Sequence, residues 1–156
     1  MTAAARYTVD ALQKTRASLG GLLDRLSDDQ WLAVPDGFRN SILWNVGHIA
    51  VTADLLTYGL ARRAVPSPDW AVAAFRKGTA PDAWETPPDI AATRALFDTG
   101  LAPLAADLGT DAFADFRPYT TTPGVTLASV EEAVAFNAFH EGLHTGTIAT
   151  LYRLVR

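Results

Sequence analysis

The stretch Ser129–Arg156 reads SVEEAVAFNAFHEGLHTGTIATLYRLVR, and its spacing decides the fold. Val130, Ala133, Asn137, His140, His144, Thr147, Leu151 and Val155 recur at three- and four-residue steps. That is the period of a helix with one buried stripe. Ser129 followed by Glu132 forms a capping box that opens the helix. His140 and His144 are two of the chain's three histidines and lie four residues apart. At roughly 100° per residue they share one helix face, so both imidazoles can reach one metal ion. The stripe points them inward, and a buried imidazole needs a partner.

Working outward, three more stripes carry the same period. The first runs near 5–26 through Ala5, Val9, Leu12, Leu19, Leu23 and Leu26, interrupted by Arg16. Gly20 and Gly21 there read as a close approach to a neighbouring helix. Ser27 with Gln30 is a capping box that opens one short turn through Trp31. The second stripe, near 41–61, starts after Asn40 or Ser41 and is apolar nearly all round, which predicts the most buried helix. It places His48 on a face with Trp44, Val51 and Leu55, so the third histidine is in the core too. The third, near 88–108, carries Ile90, Phe97, Leu101, Leu104 and Leu108, with Pro103 kinking or splitting it and Gly109 ending it. Proline-punctuated residues 62–87 suit a short helix near Asp69–Lys77, with Trp70, Ala73 and Ala74 inward. Residues 109–128 form a second long connection, and no alternating strand pattern is visible. The expected fold is all-α: a four-helix bundle with long crossing connections and short extra helices, in one domain over 1–156.

Composition limits the function. The 156 residues suit one domain with a sizeable core. A formal charge of −4 and only two lysines, Lys14 and Lys77, argue against nucleic acid. There is no cysteine, hence no disulfide, thiolate ligand or cysteine nucleophile. No leader and no membrane-spanning run is recognisable, so the expectation is a cytoplasmic protein acting on a small molecule away from membranes. The apolar excess on the first and third stripes suggests a homodimer.

The three histidines are the candidate chemistry. His48, His140 and His144 all lie on inward helix faces, two at ligand spacing, and no histidine is spent on the surface. Three imidazoles leave open positions on a divalent ion, as catalytic sites do. Zinc and nickel come first, then iron or manganese. His140-Glu141-Gly142-Leu143-His144 also matches HExxH, in which the glutamate of zinc proteases is the general base. No histidine or acid follows His144 to complete such a site. Glu141-x-x-His144 matches half of a di-iron bundle site, but Asn45 and Asn137 stand where a second pair would need glutamates. Glu141, on the shoulder of the stripe, is a candidate catalytic proton carrier, a group oriented behind the ligands, or a solvated charge. Trp44 reads as core. Asn137 needs a polar partner, and Tyr119 with Thr120–Thr122 could line the mouth of the site.

The chain resembles the DinB-like (YfiT-like) metal-binding four-helix bundles. NSILWNVGHIA at 40–50, FNAFHEGLHTGTI at 136–148 and LSDDQW at 26–31 carry the likeness. The resemblance implies that His48, His140 and His144 hold a divalent metal. It also implies a link to enzymes that use a low-molecular-weight thiol, among them thiol S-transferases and maleylpyruvate isomerase. One departure is visible: Thr147 follows Gly146 where the family often has glutamine. The expected function is therefore a metal-dependent thiol S-transferase or a related thiol-assisted hydrolase or isomerase. The alternative is a non-catalytic metal- or ligand-binding stress protein.

Overall fold

A computed structural model describes residues 2–156. Helix α1 spans Ala3–Leu23, with the Thr2 hydroxyl accepting from the Ala5 N–H. Its buried stripe is Ala5, Val9, Leu12, Leu19 and Leu23, as the spacing predicts. The capping box at Ser27 forms in full and opens α2, Asp28–Leu32, which buries Trp31. Ser41, rather than Asn40, caps α3, Ile42–Asp54. Every α3 residue except Thr52 is buried, matching its all-round apolar sequence. The helix runs on through a π-helical turn, Leu55–Gly59. Such wider turns often mark functional sites, because they redirect side chains out of the regular phase.

The crossing after α3 is tied back by Ser67, whose hydroxyl donates to the buried Asp54 carboxylate at 2.6 Å. Burial raises the Asp54 pKa despite that bond. Helix α4, Asp69–Phe75, is the expected short helix, but its inner face is different. Ala71 and Phe75 are buried, whereas Trp70 and Ala73 are exposed. The reason lies on α3: a side-chain carbon at Gly47 would stand 2.5 Å from the Phe75 ring. The missing side chain makes a socket, and Phe75 fills it, which sets the rotation of α4.

The third long segment divides into α5, Ile90–Thr99, and α6, Leu101–Asp107. The break falls at Gly100, and Pro103 sits in the first turn of α6, where its missing N–H leaves no helical bond unmade. Gly109, with φ of +96°, turns the chain away. Residues 109–128 contain a feature absent from the sequence reading, a small antiparallel hairpin. Strand β1 is Tyr119–Thr120 and β2 is Thr126–Leu127, pairing Tyr119 with Leu127. Helix α7, Val130–Leu154, closes the chain.

The all-α architecture is a bundle in which α3 packs on α7, α5 and α4, while α1 packs on α7, α5 and α6. The long segments therefore run round the bundle as α1, α7, α3, α5/α6. Successive segments α1 and α3 lie across a diagonal, and so do α5/α6 and α7. The connections that cross a diagonal are therefore 24–41, which carries α2, and 108–129; the expected crossing over 62–87 instead joins the neighbours α3 and α5. Among the described residues no helix is long and apolar enough to cross a membrane.

Candidate metal centre

The site begins with how α7 is phased. Its buried residues are Ala133, Val134, Asn137, Glu141, Ile148, Leu151 and Tyr152. The expected stripe through His140, His144 and Thr147 is thus displaced: Glu141 takes the core position, and both histidines stand half-buried at its edge. The displacement has a partner on another helix. Arg16 of α1 donates from Nε and Nη2 to the two Glu141 oxygens, each at 2.8 Å, and from Nη1 to the Phe97 carbonyl at 3.0 Å. Both side chains are almost wholly buried. A paired carboxylate is admissible in a core where a bare one is not. Glu141 is therefore neither solvated nor turned toward the histidines. Both its oxygens are engaged by Arg16, which is the residue that interrupted the α1 stripe.

The edge position gives His140 and His144 to α3. The nitrogens of His48, His140 and His144 available for a metal lie within 4.8 Å of one another. His48 Nε2 and His140 Nε2 are 3.2 Å apart. Two donors about 2.0–2.1 Å from a tetrahedral zinc ion stand roughly 3.3 Å apart, so this edge already has a zinc-like length. Trp44 stacks on His48 at 4.5 Å between ring centres and 12° between planes. Its indole N–H donates to the Thr79 hydroxyl at 2.9 Å.

The outer nitrogens of two rings are held. His48 Nδ1 lies 2.7 Å from the Phe75 carbonyl. A carbonyl can only accept, so Nδ1 carries the proton and Nε2 presents its lone pair. His144 Nδ1 lies 2.7 Å from Asn45 Oδ1, while Asn45 Nδ2 donates to the Ser41 carbonyl at 2.8 Å. The Ser41 contact fixes the amide with its oxygen toward His144, so His144 also points a bare Nε2 inward. Metal-binding histidines are characteristically held in this way through their second nitrogen. Burial lowers the pKa of all three rings. His140 falls to about 4, through burial first and the nearby His48 second. His144 falls to about 3, through burial, then His140, then His48. His48 is lowered by burial against the opposing Phe75 bond. All three are neutral near pH 7, the form that ligates a metal. The donor set fits a divalent metal ion.

Beside the histidines opens a cavity of about 420 Å³, within the range of small-molecule sites. Leu55, Leu56 and Leu60 line one wall, from the π-helical turn and the residue after it. Phe136, Phe139 and Leu143 of α7 line another, and Tyr119, Thr121, Thr122 and Pro123 close over it from the hairpin. The expected mouth is thus largely correct, though Thr120 does not line it. Of Trp44, Val51 and Leu55, the residues read on one face with His48, Leu55 alone lines the cavity. Trp44 and Val51 are core. Asn137 is buried, and its amide nitrogen has no hydrogen-bond partner among the described residues.

Two of the three stretches that carried the resemblance, 40–50 and 136–148, meet at the histidine centre, whereas 26–31 forms α2 and lines no part of the cavity. A profile of the DinB superfamily matches residues 11–148, a span that includes all three histidines. The chain belongs to the DinB superfamily. No curated protein matches it. Within this DinB-superfamily bundle, sequence reasoning missed Asn45, the Phe75 carbonyl and Arg16 as supports. Asn45 carried a signal, being an amide on a helix otherwise apolar all round. The Phe75 carbonyl carried none, because a backbone atom leaves no trace in side-chain patterning.

Proposed function

We propose that this protein is a metal-dependent enzyme that joins a small external thiol to an electrophile, with His48, His140 and His144 holding a divalent cation through Nε2. One observation supports the reading above the others: three neutral imidazoles converge at an apolar cavity, two of them held through their outer nitrogens. A structural zinc site closes around four protein ligands, whereas three ligands beside a cavity leave positions for substrate. The bound ion would supply positive charge that favours a thiolate or hydroxide over its protonated form. The remaining work falls to the chain. The Phe75 carbonyl and Asn45 orient two imidazoles, and Trp44 fixes the plane of His48. Leu55, Leu56, Leu60 and Phe136 keep water from the reacting groups. The Thr52 hydroxyl stands 3.4 Å from His48 Nε2 and lines the same cavity, where it can accept or pass on a thiol proton. With no cysteine in the chain, the sulfur must come from a cosubstrate.

The test is turnover of chlorodinitrobenzene with a panel of small thiols by zinc- and nickel-loaded protein, set against the His48→Ala variant. Faster transfer by the loaded native protein is expected. Equal rates would remove the site from the chemistry. One observation favours a second reading, a non-catalytic metal- or ligand-binding bundle: among the described residues no carboxylate lines the cavity, and Glu141 is committed to Arg16. Metal uptake with no turnover for any thiol in the panel would select it.

A further inference from the structure

Among the described residues, Lys77 is the single cation lining the cavity, and no acidic side chain lines it. It is one of two lysines in a chain of net charge −4, and among the described residues it forms no ion pair. Its place is fixed from two sides. The chain leaves α4 just after Phe75, whose ring is seated at Gly47, and turns at Gly78 with φ of +92°. Lys77 Nζ then donates to the Thr122 hydroxyl of the hairpin turn. Because Thr122 accepts from the ammonium, its own O–H remains free to donate outward. An ammonium and a hydroxyl proton thus stand together at the rim of a cavity whose walls are leucine and phenylalanine.

We propose that the cavity takes amphipathic organic anions, with the apolar body against the walls from α3 and α7 and the carboxylate or other acidic group on Lys77 and Thr122. The opposite end of such a molecule lies toward His48 and His140. The proposal deepens the thiol-transfer reading by naming its electrophile class, an apolar acid, and rests on that reading for the reacting end alone.

Calorimetric titration of the full chain with octanoate, its neutral analogue octanamide, and octylamine tests it, in metal-free and zinc-loaded protein. Octanoate should bind about five- to tenfold more tightly than octanamide in both forms, the gain of one partly exposed charge-assisted hydrogen bond. Octylamine should bind weakest. Lys77→Gln should bring octanoate down to octanamide and leave octanamide unchanged, which also shows that the variant is folded, while Lys77→Arg should keep the preference. Equal affinity for octanoate and octanamide in the native protein overturns the proposal, as does failure of both to bind at millimolar concentration. A preference seen only with zinc and surviving Lys77→Gln places the acid on the ion, so the Lys77 proposal falls and the metal reading stands. A Lys77-dependent preference in a protein that shows no thiol turnover upholds the anion site and removes the enzyme reading.

Discussion

His140 and Glu141 are neighbours in sequence, yet they belong to two polar centres with opposite designs. Glu141 faces α1 and is closed: both oxygens are engaged by Arg16, and nothing is left for a ligand. His140 faces α3 and is open: its Nε2 stands with those of His48 and His144 beside a cavity. One centre stores charge as a matched pair, the other gathers three neutral imidazoles, two of them held through their outer nitrogens. A helix turn of roughly 100° separates the two outcomes. The lesson is that burial alone does not make a functional group, since the more buried of the two is the one already satisfied.

Breaking the closed centre should have the largest effect. Glu141→Leu leaves the Arg16 guanidinium buried and unpaired, and should cost about 3–5 kcal/mol in chemical denaturation. Adding Arg16→Met should recover most of that loss, because two apolar side chains leave no orphaned charge. A Glu141→Leu protein as stable as the native one would show that the pair is not closed.

Breaking the open centre should do the reverse, harming binding rather than folding. His144→Ala removes one of three ligands and should weaken zinc or nickel uptake by more than about 100-fold, beyond the range for residues that only orient ligands. Melting of the metal-free protein should change little by comparison. Retained metal at full stoichiometry in elemental analysis would exclude His144 from the site. A milder effect is expected one layer out. Asn45→Ala frees the His144 ring to rotate, and should weaken the metal by about 10- to 100-fold with the ligands all present.

The smallest expected effect is the pH response of the metal-free protein, and it comes from the open centre. His140 and His144 have folded pKa values of about 4 and about 3, and His48 is also lowered. An unfolded histidine titrates near 6.5, so the unfolded chain binds more protons across the interval. Stability should therefore fall as pH drops from about 6.5 toward 4, by about 1–2 kcal/mol once solvent screening of these half-buried rings is allowed for. Saturating zinc should steepen the fall, since protons then displace the metal as well. A metal-free stability that is flat over this interval in urea titrations would show that the rings are better solvated than their packing indicates.

The sequence by itself determined the helices, their caps and the identity of the three histidines. Those properties are local: a 3.6-residue period, Ser27 with Gln30 and Ser129 at helix starts, and a four-residue histidine spacing depend on neighbours along the chain, whereas the choice of Ser41 over Asn40 as a cap came from the structure. Only the tertiary structure decided which face of α7 is the core, because the answer depends on Arg16, 125 residues away in sequence. Periodicity treats a glutamate as outward-facing and so displaced the stripe onto the histidines. The face of α4 was equally out of reach, since it is set by the absence of a side chain at Gly47 and the ring of Phe75 that fills the space. The same seating delivers the Phe75 carbonyl to His48. Burial of a charge and orientation of an imidazole are both settled by what stands opposite, and what stands opposite is fixed only when the helices pack.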